Sequence, residues 1–243
     1  MWNVSDERER NLRGLASLDQ PTRRALYELL RERADWVGRD EAAEALDLPR
    51  SVAAFHLDKL AEAGIAEVKF ERPEGRSGPG AGRPAKWYRR STEETAASVP
   101  ERRYDLAGSL LASAVADASR TGEPVTDTLA RVARSVGAEL GGQRRVEEAV
   151  EIDAARDGEL PTLLEALADS GYEPVVQDDG EIALRNCPFH RLAEQERELV
   201  CGMNLDFLTG CLDGLDAEDL EARLAPEPGY CCVRIAPRAR PAA

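Results

Sequence analysis

Cysteine is missing from the first 186 residues of this chain, and all five cysteines fall between positions 187 and 232. Lysine is scarce in the opposite sense: the three present are Lys59, Lys69 and Lys86, with none in the later part. Histidine occurs twice, at His56 and His190. Aromatic residues make up 5% of the chain, and Ala, Leu and Val carry most of its apolar content, a balance that favours helices over a β-sandwich. No stretch approaches the roughly 18 consecutive apolar residues that a membrane-spanning helix needs. The opening Met-Trp-Asn-Val-Ser-Asp-Glu-Arg-Glu-Arg lacks the apolar core of a secretory signal. A cytoplasmic protein with no membrane partner is therefore the expectation. In that reducing compartment, clustered cysteines more often bind metal or do redox work than form a disulfide framework.

The net charge is −14 over 243 residues, but it is spread unevenly. Residues 1–100 hold 17 basic and 18 acidic side chains, whereas residues 101–243 hold 15 and 28. From Arg76 to Thr92 there are five basic residues and no acidic one. The local field, rather than the total, decides whether a surface meets phosphate. A DNA-contacting first part and an acidic, solvated second part are compatible with these numbers.

Leu12, Leu15 and Leu18 make one apolar stripe and Leu26, Leu29 and Leu30 another, which predicts helices over 5–18 and 20–34. Asp19 is placed to cap the second, with Pro21 in its first turn. A short helix over 39–46, the connection Asp47-Leu48-Pro49 and a longer helix over 50–63 stopped by Gly64 make a helix-turn-helix pattern. Residues 65–72 alternate like a strand, 73–84 are rich in glycine and proline, and 85–90 read as the returning strand. Together these form a winged helix-turn-helix. Val52, Leu57 and Leu60 are expected in its core. Arg50, Ser51, Ala54, Phe55 and Lys59 are expected to face base edges, and Arg76, Arg83, Lys86, Arg89 and Arg90 to meet phosphate or the minor groove. The plain alternative for the basic residues is a solvated face, and for His56 a structural role or a phosphate contact.

The run Ser51-Val52-Ala53-Ala54-Phe55-His56-Leu57-Asp58-Lys59-Leu60-Ala61-Glu62-Ala63-Gly64 resembles the recognition helix of ArsR-type winged-helix repressors. Gly82-Arg83-Pro84-Ala85-Lys86-Trp87-Tyr88 resembles the wing of one branch of them. The resemblance covers about residues 10–90 and implies a regulator that binds duplex DNA.

A linker is expected over 91–100, then a helix over 102–120 bearing Tyr104, Leu110, Leu111, Ala114, Val115 and Ala118, stopped by Gly122. That face fits a twin subunit, as palindromic half-sites require, and fits an intrachain core equally. Further helices are expected over 127–140, 146–155 and 160–170, the last closed by Gly171. Residues 173–177 and 181–185 flank Asp178-Asp179-Gly180 as a hairpin, and 231–235 read as a third strand. Residues 237–243 are expected to fray. The fold class is thus mainly α with small β. It comprises a winged helix-turn-helix over 1–92, a linker and dimerisation helix over 93–122, and an α+β sensor domain over 123–243.

Cys187 and His190 form a Cys-x-x-His at a strand-to-helix turn. Thirteen residues separate Cys187 from Cys201 and 29 separate Cys201 from Cys231, spacings too wide for a zinc ribbon or finger. Cys201 shares a stripe with Leu205, Leu208, Leu212 and Leu215, so ordinary core packing is an open alternative to metal binding. Cys211 reads as packing. On a regular strand Cys231 and Cys232 point to opposite sides, so at most one is expected at a shared site.

Asn186-Cys187-Pro188-Phe189 to Cys201, followed by Gly229-Tyr230-Cys231-Cys232-Val233, resembles the sensor half of SufR-like regulators. That resemblance implies an iron–sulfur cluster, 4Fe-4S or 2Fe-2S, on Cys187, Cys201 and Cys231 or Cys232. His190 or the second cysteine of the pair would serve as the fourth ligand. It implies further a dimeric repressor of cluster-biogenesis or redox genes acting on a palindromic operator. Two alternatives stand beside it. One is a structural zinc on Cys187, His190, Cys201 and Cys231 in a regulator sensing another ligand. The other is a thiol oxidoreductase using Cys231 and Cys232, although no nucleotide fingerprint or Cys-x-x-Cys accompanies them.

Overall fold

Two units divide the chain, Met1–Ala97 and Ser98–Ala243, and the computed structural model describes residues 4–71, 84–151 and 159–238. In the first unit, α1 (Val4–Ser17) precedes α2 (Pro21–Arg33), α3 (Arg39–Ala45) and α4 (Arg50–Glu62). Leu26, Leu29, Leu30, Leu57 and Leu60 close on one another as the core, with Ala53 also fully buried. Val52 is half-buried. The cap of α2 is Gln20 rather than Asp19: its side-chain oxygen accepts from the Arg23 N–H at 2.7 Å. Gly64, at φ +77°, ends α4 in the left-handed region that glycine adopts without strain.

Strands β2 (Ala66–Glu71) and β3 (Ala85–Arg90) pair antiparallel, and the two-residue β1 (Val37–Gly38) joins the far side of β3. The wing tip, including Arg76 and Arg83, lies outside the described residues. The second unit opens with α5 (Tyr104–Thr121), which buries Ala107, Leu110, Ala114 and Ala118. Val115, expected on the same face, is 52% exposed, because the buried stripe follows the 3–4 spacing of those four residues.

Helix α6 runs from Val125 to Glu151 without stopping at Leu140. The separate helix expected over 146–155 is absorbed into its end, and residues 152–158 lie outside the described residues. The reason is the use made of glycine. A Cβ at Gly137 would run into the Phe207 carbonyl and one at Gly141 into that of Cys211, while Cβ atoms at Gly210 and Gly214 would meet the carbonyls of Arg134 and Ala138. Two Gly-x-x-x-Gly stretches thus bring α6 against α9 (Arg197–Gly214) at backbone contact. Arg134 and Asp213 pair across the same crossing at 2.8 Å.

After α7 (Glu159–Asp169) the chain forms a four-stranded antiparallel sheet in the order β4-β5-β7-β6. Its strands are β4 (Pro174–Val176), β5 (Ile182–Leu184), β6 (Leu220–Leu224) and β7 (Val233–Pro237). Strand β6 has no counterpart among the strands expected from sequence. The helical stretch after the Cys187 turn is broken at Glu196 into α8 (His190–Gln195) and α9. Between the strands, buried Glu181 accepts a bond from buried Arg234 at 2.7 Å. Of residues 237–243, expected to fray, Pro237 instead ends β7 and the Arg238 N–H donates to the Asp219 carbonyl at 2.7 Å, while 239–243 lie outside the described residues. Among the described residues no helix is long and apolar enough to cross a membrane.

Candidate functional site

In the N-terminal unit, α4 presents Arg50, Ser51, Phe55 and Lys59 to solvent, with Ala54 half-exposed. Phe55 is 56% exposed, and the Lys59 ammonium lies 5.9 Å from its ring centroid. Arg50 pairs with Asp40 and Lys59 with Glu62. Such exposed pairs contribute about 0–1 kcal/mol, so they yield readily to a phosphate. His56 is half-buried; burial, with the nearby Arg23 charge, holds its imidazole below the usual value. Its Nδ1 has no partner.

Asp58 ties this helix to the wing. Its carboxylate accepts from the Tyr88 hydroxyl at 2.6 Å, the Lys86 ammonium at 2.6 Å and the Arg39 guanidinium at 2.8 Å. Lys86, expected to meet DNA, is half-buried and paired with Asp58. Arg89 bonds Glu67 at 2.7 Å and lies over the Trp36 ring, while Arg90 is exposed. Burial pushes the Asp58 pKa up, but the bonds from Lys86 and Tyr88 and the neighbouring charges outweigh it, leaving the carboxyl below its ordinary value. A depressed folded-state pKa gives stability that is complete above the unfolded pKa and is lost as pH falls through the folded one. Asp58→Asn is expected to lower the melting temperature at neutral pH. It should also flatten the fall in stability on acidification, as a pH series of thermal melts would read. An acid limb identical to wild type would remove Asp58 from this role.

The second unit assembles the cysteines from three segments. Asn186, 5% exposed, fixes the turn after β5: its Nδ2 donates to the carbonyls of Glu101 and Gly171 at 2.8 and 2.6 Å, and its Oδ1 accepts from Arg102. Cys187 follows on that turn. Cys231 is set against the end of β5 by its N–H, which donates to the Leu184 carbonyl at 2.8 Å. Cys232 accepts at its carbonyl from the Ala225 N–H, also at 2.8 Å.

The thiol of Cys187 neighbours that of Cys231, and the thiol of Cys201 neighbours that of Cys232. The expectation that Cys231 and Cys232 point to opposite sides rested on a regular strand. Strand β7 begins at Val233, so the pair lies in the bend ahead of it and is free of strand alternation. The bond from Cys231, aided by the Phe189 N–H and the Arg102 charge, lowers the Cys187 pKa to about 7 against the effect of burial. The same bond, with burial, pushes Cys231 up. Burial, then the bond with Cys232, pushes Cys201 up to about 12. Cys211 is buried 4% exposed at the α6–α9 crossing, where burial pushes it up to about 12.

Cys187, Cys231, Cys232 and His190 line a cleft of about 590 Å³ rimmed by Pro226 to Tyr230. Arg234 holds this rim through a bond to Glu227 and lies 5.4 Å from the Tyr230 ring centroid. Cys201 approaches from α9 and is not a lining residue of the cleft. His190 is exposed and its Nε2 lies 3.3 Å from Glu194. Among the described residues, no three Cys, His, Asp or Glu side chains converge as a single-ion centre. A tetrahedral zinc needs all its donors on one point. A cluster distributes its thiolates over separate irons and does not require them to meet at one point. Asn186, Arg102, Tyr172 and Asn204 were not singled out as site residues from sequence. Asn204 carries a readable signal, being an amide three residues after Cys201 on an otherwise apolar face.

Residues 18–69 match a known family described as a helix-turn-helix domain. The N-terminal unit is a helix-turn-helix domain. The match supports a DNA-binding transcriptional regulator, and its span includes α2, α3, α4 and most of β2. No curated protein and no solved structure matches the chain.

Proposed function

We propose that this DNA-binding regulator is a cytoplasmic, homodimeric repressor whose DNA affinity depends on an iron–sulfur cluster held by Cys187, Cys201, Cys231 and Cys232. The observation that supports the reading is the pairing of Cys187 with Cys231 and of Cys201 with Cys232, drawn from three distant segments to one cleft and its flank. When bound, a cluster supplies a redox- and iron-responsive tie among thiolates. The chain supplies the rest. Asn186 and Arg102 hold the Cys187 turn, α9 delivers Cys201, and the Arg234–Glu227 pair holds the loop before Cys231. Release of the thiolates leaves α8 and the start of α9 joined to the sheet by fewer contacts, a change suited to a two-state sensor. A symmetric dimer would carry that change to the spacing of two recognition helices on a palindromic operator. Cluster-biogenesis or redox genes are the targets that this chemistry would serve.

Iron and acid-labile sulfide measured on protein kept from air test the site. At least about two irons per chain are expected; less than one after anaerobic reconstitution removes the cluster. A dithiol sensor built on the Cys187–Cys231 contact is the second reading, and it takes up no iron. The DNA face has its own test. Arg50→Ala with Arg90→Ala is expected to weaken binding to all duplexes alike and to reduce the salt slope by about two. An unchanged slope would mean that these arginines do not meet phosphate.

A further inference from the structure

Asn204 is an amide on an apolar helix face, 2% exposed and flanked on α9 by Val200, Met203, Phe207 and Leu208, all buried. Burying an amide costs about 1–3 kcal/mol unless its polar atoms are bonded. Its Nδ2 donates to the Cys231 sulfur at 3.3 Å. Its Oδ1 accepts from the hydroxyl of Tyr172, itself 2% exposed. In this arrangement the amide N–H, and not its oxygen, faces the sulfur. Burial, then the proximity of Cys231, Cys211 and Cys187, raises the Tyr172 pKa well above its ordinary value, so the phenol stays a neutral donor.

A neutral thiol is a weak acceptor, and a buried amide committed to one is poorly used. A metal-bound thiolate is a charged acceptor, for which hydrogen bonds are roughly twice as strong. We infer that Tyr172 and Asn204 form a buried relay that holds an N–H on the Cys231 sulfur and sets the reduction potential of the centre bound there. This rests on the cluster reading above. Neither residue touches the metal; both are positioning residues. Hydrogen bonds to ligand sulfur favour the reduced, more negative centre and raise its potential.

The test is a spectroelectrochemical titration of the anaerobically reconstituted full chain, with iron content and circular dichroism measured on the same samples. Asn204→Leu removes the donor at similar volume. It is expected to lower the reduced-to-oxidised ratio at fixed potential about tenfold, equivalent to about 59 mV for a one-electron couple. Tyr172→Phe keeps the ring and unlocks the amide, and is expected to shift the potential the same way by less. A Tyr172→Phe protein that keeps its iron and the wild-type potential overturns the relay, whatever the iron content of Asn204→Leu. Wild-type protein that takes up less than about one iron per chain overturns the cluster itself, and the relay with it. Wild-type iron with unshifted variants overturns the relay alone.

Discussion

Cys187→Ser is expected to reduce iron uptake to less than about one per chain, while Cys211→Ser keeps the wild-type amount. The two residues are both cysteines of the same unit, so the contrast is not one of composition. Cys187 neighbours Cys231, lines the cleft, and is the thiol whose pKa falls, to about 7. Serine removes the soft thiolate that such iron prefers. Cys211 lies ten residues along α9 from Cys201, buried at the crossing with α6. Its substitution is expected to cost packing and nothing at the cleft. Iron analysis of the two variants beside wild type checks this, and the reverse pattern would overturn the ligand assignment.

The second large effect concerns the crossing itself. Gly137→Ala or Gly210→Ala places a methyl group against a backbone carbonyl of the facing helix, which no side-chain rotation relieves. Overpacking of a core costs about 1–3 kcal/mol, and a clash with backbone belongs at the top of that range. The melting temperature of the second unit is then expected to fall by about 6–12 °C. Gly108→Ala on α5 is the control: its added methyl meets nothing within 4 Å, and alanine gains up to about 1 kcal/mol in a helix interior. Thermal melts followed by circular dichroism should separate the three proteins. Equal melting of Gly137→Ala and wild type would show that α6 and α9 do not approach as closely as described.

Those glycines also explain why the helix expected to end at Leu140 continues to Glu151. Gly141-Gly142 looks like a helix stop after Leu140, and α6 passes straight through it because smallness there serves packing. The matching spacing of Gly137 with Gly141 and Gly210 with Gly214 was legible, but only a pair of helices gives it meaning. The N-terminal unit was easier. Its leucine stripes, the Asp47-Leu48-Pro49 connection, Gly64 and the alternating β2 each carry a local signal, and the elements lie within a few residues of the expected places.

Strand β6 was hidden by helix-like composition, although Leu220, Ala222 and Leu224 keep a period of two. Cys231 and Cys232 were assigned to a strand that starts two residues later. Strand alternation therefore does not govern where these two side chains point. Pairing of Lys86 with Asp58 had no sequence signal at all. A lysine beside a Gly/Pro-rich wing reads as a phosphate contact, and only the fold brings the carboxylate of α4 beneath it.

The account is tested most directly by the affinity of one preparation for duplex DNA with and without its metal centre. A duplex selected by the anaerobic protein from a random library serves as the ligand, at fixed salt. The dissociation constant is expected to change at least about tenfold, or about 1.4 kcal/mol, when iron is stripped by chelation, and to return on reconstitution. Cys187→Ser protein should show the stripped value throughout. An affinity that stays the same in all these states would contradict control of DNA binding by the cysteine site.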